Sequence, residues 1–326
     1  MRIVLTGSIA YDYLMRFPGR FRDHLIADQL DQISVSFLVE DMVRERGGVA
    51  ANIAYSLALL GERPILMGTA GRDFGEYRAW LDEHGVDTSA VRIIPEVYTA
   101  SFFANTDSEN NQIGSFYTGA MAYSKGYTLA EALTEAPDLV VISPGDPTAM
   151  TEMADECQAC GYPFLFDPSQ QVIWLDGDFL RHGIDRCRLL IVNAYEWEMI
   201  AKKTGLTLQD LVREGKTVIV THGNDGSHIH AGGAAAARTQ AIRLVRSGGK
   251  TGLPWAPACR HVGRRDERVI GDVEAPGAGL GQLVAHDANA RTGGSRRIVR
   301  AGFDEEGAFD RQVDLVEAAV DVERLA

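Results

Sequence analysis

"RGGVAANIAYSLALLG", residues 46–61, carries two adjacent glycines, small residues, one carboxamide and an apolar run closed by a third glycine. The spacing predicts a helix over 50–60 that opens on Gly47-Gly48 and holds the amide of Asn52 one turn in, among alanines. Glycines at a helix start let backbone N–H groups approach a ligand oxygen closely, and the positive end of the helix dipole favours that oxygen. At that depth Asn52 is placed to hydrogen-bond a hydroxyl. A tight turn with close helix–sheet packing and a buried, satisfied Asn52 accounts for the same residues.

On either side, short apolar runs closed by polar or glycine turns alternate with helical patterns. The runs are "RIVLTGSIA", "PILMGTAG", "DLVVISPG", "PFLFDPS", "LLIVNAYE" and "TVIVTHG". Further helical patterns fall at 75–84, 148–160 and 194–204. This alternation predicts an α/β fold with a central, mostly parallel sheet flanked by helices. Ligands bind such sheets outside the carboxyl ends of the strands. Asp12, Asp167, Asn193, Glu196 and Thr221 stand at or near those ends. Two segments, 11–46 and 97–118, break the alternation, and the second reads as two strands around a polar turn. A small β-sheet lid is expected, of the kind that excludes water from transfer chemistry.

The 326 residues suit one large α/β domain with an appendage or two domains. Hydrophobic content of 45% with 24% charged residues is that of a globular protein in water. A net charge of −13 argues against a general nucleic-acid binder, because phosphate backbones reward clustered Lys and Arg. No run long enough to cross a membrane and no signal-peptide pattern occurs, so a cytoplasmic protein is expected. "CQAC" (157–160) has redox spacing, but it lies late in a helical pattern without a second pair. Core or surface thiols are the expected reading over metal or redox chemistry.

"GGVAANIA" (47–54), "GRDFG" (71–75), "NAYEW" (193–197) and "VTHGNDG" (220–226) occur in an order and spacing that resembles the PfkB sugar and nucleoside kinases, a family with the ribokinase-like fold. "TGSIAYDYLMRFPGRF" (6–21), "SFLVEDMVRERGGVAANIA" (36–54), "SFYTGAM" (115–121) and "DPSQQ" (167–171) look like the mycobacterial-type adenosine kinases within it. The resemblance spans about residues 1–230.

It implies ATP-dependent phosphorylation of adenosine at the 5′-hydroxyl, a step of purine salvage, with Mg²⁺ as cofactor. A ribokinase-like sugar kinase and a catalytically dead nucleoside-binding pseudokinase are the alternatives. Asp12 would hold two sugar hydroxyls, which suits a carboxylate accepting from both ends of a cis-diol; a helix or turn cap is its plainer role. Gly48 and Asn52 would contact the same ribose. Phe102 and Phe116 would sandwich the purine, or else only pack the lid. Gln170 and Gln171 would line the purine site, or form a solvated loop. Asn193 and Glu196 would organise phosphate and Mg²⁺, with Glu196 on the metal side. Thr221, Gly223 and Gly226 would form the turn beneath the ATP phosphates, in a chain without a Walker A loop. The partner implied is a small-molecule substrate, neither nucleic acid nor membrane, with a homodimer through the lid.

One element of the family pattern is missing. The resemblance implies D-P-x-G-x-G-D downstream of the T-x-G-x-x-G loop, its last aspartate being the general base. The nearest text, "EAPGAGLG" (274–281), has Leu280 where that aspartate belongs, so no catalytic residue is assigned. From 231 to 302 the chain has eleven Arg and one Lys against five Asp and Glu, a local charge of +7 with no Phe or Tyr. Two parts are therefore expected: a core at 1–230 and an atypical basic, Gly/Ala/Arg-rich segment at 231–326. Out-of-frame translation of GC-rich DNA, a disordered basic insert and a diverged domain all fit that composition. An RNA-binding tail fits less well, because Trp255 is the one Phe, Tyr or Trp among the arginines of 231–302.

Overall fold

A computed structural model describes residues 1–25, 34–232, 237–239, 270–274 and 281–284. β1 (Ile3–Thr6) is buried along its whole length and stops at Gly7, whose φ is +143°. A Cβ at Gly7 would collide with the Ser143 hydroxyl. "RIVLTGSIA" is therefore not one strand, because beyond Gly7 the chain enters β2 (Ala10–Arg16) of a separate sheet. β3 (Asp41–Gly47) returns antiparallel to β2, and α1 (Val49–Leu59) starts after Gly48. β4 (Ile65–Gly71), α2 (Gly75–Glu83) and β5 (Val91–Ile94) follow. The expected hairpin, β6 (Ala100–Thr106) with β7 (Gln112–Tyr117), completes a small sheet of order β3-β2-β6-β7.

A short α3 (Leu129–Ala132) leads into β8 (Leu139–Ile142), α4 (Pro147–Cys160) and β9 (Phe164–Phe166). Next come α5 (Gly177–Arg186), β10 (Leu189–Asn193), α6 (Ala194–Thr204) and α7 (Leu208–Arg213). β11 (Thr217–Thr221) and β12 (Ser227–His230) close the part of the chain expected to form the core. β13 (Ala237–Thr239), β14 (Ile270–Glu274) and β15 (Gly281–Val284) continue the main sheet antiparallel to one another. These three strands lie beyond residue 230, where the composition changes, and extend the sheet from β12.

From β5 through β4, β1, β8, β9 and β10 to β11 every pairing is parallel. Successive side chains of such strands point to opposite faces, and both faces are covered. Ile3 and Leu5 pack with Ile53 and Leu57 of α1, whereas Val4 packs with Met150 of α4 and Phe166. The carboxyl ends of the strands therefore share one edge of the molecule.

Helix ends fall where their caps put them. Asp146 accepts from the Thr148 and Ala149 amides at the start of α4, which ends on the left-handed Gly161. α5 is a helix that the sequence reading does not include, although Leu180 and Ile184 recur at helical spacing and are buried. The Phe166 ring lies where a Cβ at Gly183 would sit, within 2.5 Å of its Cζ. On α4, Cys157 is buried and Cys160 exposed, and burial pushes the Cys157 thiol up to about 12. Thiolate is the redox and metal-binding form, so Cys157 behaves as a core residue.

Candidate active site

The register of the small sheet gathers residues far apart in sequence. Asp12 of β2 pairs with Glu45 of β3 and with Phe102 of β6, and Phe102 pairs with Phe116 of β7. Paired residues share a face, so Glu45, Asp12, Phe102 and Phe116 form one row across the lid. Tyr11 points the other way, into the core against Tyr77, with ring centroids 5.5 Å apart. Asp12 lies inside a strand and caps neither helix nor turn. Its carboxyl accepts no hydrogen bond from another described side chain or amide. Burial, and then the nearby Glu45 carboxyl, push it from 3.8 up to about 6. It is a desolvated acceptor without a donor of its own.

The two glycines have separate reasons. The Asp12 carboxyl lies against Gly47, where a Cβ would collide with it. Gly48 has φ +93°, and a Cβ there would come within 2.6 Å of the Ala10 nitrogen and the Ser8 carbonyl. The first amide of α1, on Val49, donates to Ser8 Oγ at 2.9 Å. Close packing of the helix start is thus observed. The Asn52 amide N–H donates to the Gly48 carbonyl at 3.0 Å. The Asn52 carboxamide, half-buried one turn into α1, makes no hydrogen bond with another described residue.

Phe102 lies over Gly114, where an added Cβ would meet its Cε2 at 3.0 Å, and Phe116 is half exposed. Directly paired residues have Cβ atoms about 4.5–5.5 Å apart. Rings on either side of a stacked base need about 7 Å, twice a carbon–carbon contact. The two phenyl rings share one face of the lid, and a base enters between them only if the side chains splay. The two glutamines differ. Both lie on the 3-10 turn Ser169–Ile173 after β9, where Gln170 is exposed and accepts from Ser169 Oγ at 2.7 Å. Gln171 is not in a solvated loop. Its Nε2 donates to the Gly145 carbonyl at 2.7 Å, and its Oε1 is buried without a hydrogen-bond donor. Gly145 also lines a solvent-open cleft of about 420 Å³ with Gly7, Gly68, Met121 and Met150.

At the other end of the same edge, Asn193 pairs with Thr221, and Thr221 with Ser227. Asn193 Oδ1 accepts from the Glu196 amide at 2.7 Å, while Glu196 Oε2 accepts from the Asn193 amide at 2.9 Å. The N-x-x-E element is a capping box with Glu196 buried. Gly223 and Gly226 have φ of 56° and 87°, and the His222 amide closes the loop onto the Gly226 carbonyl at 2.7 Å. Four strand steps of about 4.8 Å separate β1 from β11, so the two ends lie roughly 19 Å apart. Among the described residues no group of three or more His, Cys, Asp or Glu is placed to hold a metal ion. Leu280 lies outside the described residues.

Residues 11–245 match the pattern of the pfkB family carbohydrate kinases. The chain belongs to the pfkB carbohydrate kinase family. It is 30% identical over 233 residues to a nucleoside kinase of Methanothermobacter thermautotrophicus, covering 70% of this chain and 72% of that protein. It also resembles the Burkholderia thailandensis nucleoside kinase solved in complex with inosine: 34% identity, TM-score 0.62, 75% of this chain and 77% of that one. The Methanocaldococcus jannaschii nucleoside kinase, an archaeal ribokinase-family member, shares the fold at 24% identity, TM-score 0.66, 78% of this chain and 79% of that one. The fold is ribokinase-like: a mostly parallel sheet between helices, with a small separate sheet.

Within this PfkB chain the "GRDFG" turn fastens the lid. Asp73 Oδ1 accepts from the Thr99 amide and hydroxyl at 2.8 and 2.7 Å, and Thr99 Oγ1 accepts from the Gly71 amide at 2.9 Å. The residues missed by sequence reading are Ser8, Glu45 and Thr99. Only strand pairing brings Glu45 to Asp12, and nothing local marks it. Among the described residues no helix is long and apolar enough to cross a membrane.

Proposed function

We propose that this PfkB kinase transfers the γ-phosphoryl group of ATP to the 5′-hydroxyl of a purine nucleoside, adenosine foremost. The observation that carries this reading is the row of Asp12, Phe102 and Phe116, a half-buried carboxyl that accepts no hydrogen bond from another described residue, beside two phenyl rings. Asp12 accepts from the 2′- and 3′-hydroxyls, and the Asn52 carboxamide and Gly48 backbone complete the ribose site. Phe102 and Phe116 stack the base. The acceptor Gln171 Oε1 suits the 6-amino group of adenosine or the N1–H of inosine, the nucleoside in the Burkholderia complex. The loop Thr221, Gly223, Gly226 cradles the ATP phosphates with Asn193, whose capping box aims the α6 N-terminus at the anion. Glu196 would hold Mg²⁺ through water, and the ion would offset the negative charge of the phosphates. The donor implies the cytoplasm.

In the transfer the bond from the γ-phosphorus to its bridging oxygen breaks and the 5′-oxygen–phosphorus bond forms, while the hydroxyl proton leaves to a base. With Leu280 in the nearest match to the family's aspartate motif, no base is assigned, and transfer without one is slower by roughly 10²–10⁴-fold. This one observation favours a second reading, a nucleoside-binding pseudokinase. Calorimetry with adenosine, inosine and ribose, beside an assay for ADP release, tests both. Purine-nucleoside binding with ADP release supports the kinase, and binding without release supports the pseudokinase. Preference for ribose supports a sugar kinase and refutes both nucleoside readings.

Two further features belong to this reading. The outer lid face exposes Met42, Phe103 and Ile113, opposite the Asp12 row; we place a homodimer contact there, and sedimentation at micromolar concentration checks it. Residues 1–230 are the proposed kinase core. For residues 231–302 we propose out-of-frame translation, and resequencing the coding DNA decides it.

A further inference from the structure

We infer that Lys203, at the far end of α6 from Asn193, is a positioning residue that clamps the turn presenting Gln171 to the purine. Its ammonium donates to three main-chain carbonyls, those of Val172 at 2.6 Å, Ile173 at 3.1 Å and Leu175 at 2.6 Å. All three of its donors are thereby used. The acceptors cluster at the carboxyl end of the 3-10 turn Ser169–Ile173, where the backbone dipole favours a cation.

The turn has reason to be held. Ser169 is buried with φ +48°, a left-handed conformation that persists in a non-glycine residue only where the surroundings enforce it. The Trp174 and Leu175 amides both donate to the Gln171 carbonyl at 2.9 Å, so the segment gripped by Lys203 is the one whose hydrogen bonds fix Gln171. The helix end fits closely as well. A Cβ at Gly177, the first residue of α5, would come within 2.5 Å of the Lys203 carbonyl. The clamp spans the gap between β9 and α6 and sits at the opposite end of α6 from the nucleotide-side capping box.

This inference rests on the purine-nucleoside reading above, so its test includes a measurement that needs no ligand. Lys203→Met, Lys203→Arg and the unaltered chain are compared by calorimetry with adenosine, ribose and ADP, and by amide exchange over residues 169–175. The expected result for Lys203→Met is adenosine affinity about tenfold lower, ribose and ADP affinities unchanged, and faster exchange at 174 and 175. Lys203→Arg, keeping a cation and several donors, recovers part of the adenosine affinity. Unchanged adenosine affinity in a folded Lys203→Met protein, or equal losses for all three ligands, overturns the positioning role. Unchanged exchange overturns the clamp. If the unaltered chain does not prefer adenosine to ribose, the purine reading falls and the positioning role with it. Should Lys203→Met fail to fold, Lys203→Gln, which replaces the ammonium by a shorter neutral donor, takes its place, and the same outcomes decide.

Discussion

Of the two ends of the sheet proposed for nucleotide and for sugar, the first uses its motif residues in the fold itself. Asn193 and Glu196 close a capping box on each other, and Gly223 and Gly226 supply the positive φ that the loop after β11 requires. At the sugar end the opposite holds. Asp12 has no internal donor, its carboxyl is pushed up to about 6, and the Asn52 carboxamide makes no bond to another described residue. A polar group buried without a partner costs free energy, and a ligand that brings the partner recovers it. On the proposed reading the first end is a folding device that also takes phosphate, and the second takes the ribose hydroxyls.

Substitutions separate the two ends. The largest effect is expected from Asp12→Ala, which should weaken adenosine binding by about 3 kcal/mol while leaving the protein folded. Wild-type affinity by calorimetry would remove the ribose assignment. Next comes the pH response of folding. The folded-state value of Asp12 lies above its ordinary one, so stability falls as pH climbs from below 3.8 through about 6 and then levels off. Asp12→Asn should match the unaltered protein near pH 3.5 and exceed it by at most about 3 kcal/mol at pH 7. Urea titrations across that range check the sign, and a less stable Asp12→Asn protein at pH 7 would contradict it.

Phe102→Ala or Phe116→Ala should lower adenosine affinity by about 1–3 kcal/mol and leave ribose unaffected. Equal losses for both ligands would assign the rings to lid packing. The smallest effect belongs to the nucleotide end. Asn193→Ala removes a helix cap and should cost about 1 kcal/mol of stability in thermal unfolding, even without nucleotide. A ligand-free protein of unchanged stability would mean that the capping box is not a folding device.

The same contrast governs what could be read before folding. "NAYEW" and "VTHGNDG" are legible through their likeness to the family motifs, and in the fold they close within a few residues as a capping box and a glycine turn. The α/β alternation and the helix limits at Gly161 and Gly205 are legible because periodicity and capping act over a few residues. α5 is amphipathic, with Leu180, Gly183 and Ile184 buried, and nothing in the fold explains its absence from the sequence reading. The split of "RIVLTGSIA" into two strands escaped because Ser143, far along the chain, fills the space beside Gly7.

By itself the sequence determined the layered α/β order and the hairpin of the lid, which follow from periodicity and turn chemistry acting over a few residues; the proposed roles of Asp12, Asn52, Phe102 and Phe116 came from the resemblance to the PfkB family. Only the tertiary structure decided that Glu45 stands beside Asp12, that Gln171 rather than Gln170 is anchored, and that Lys203 grips the turn between them and α6. Such arrangements depend on strand register and helix packing between distant segments, where a one-residue slip turns every side chain to the other face.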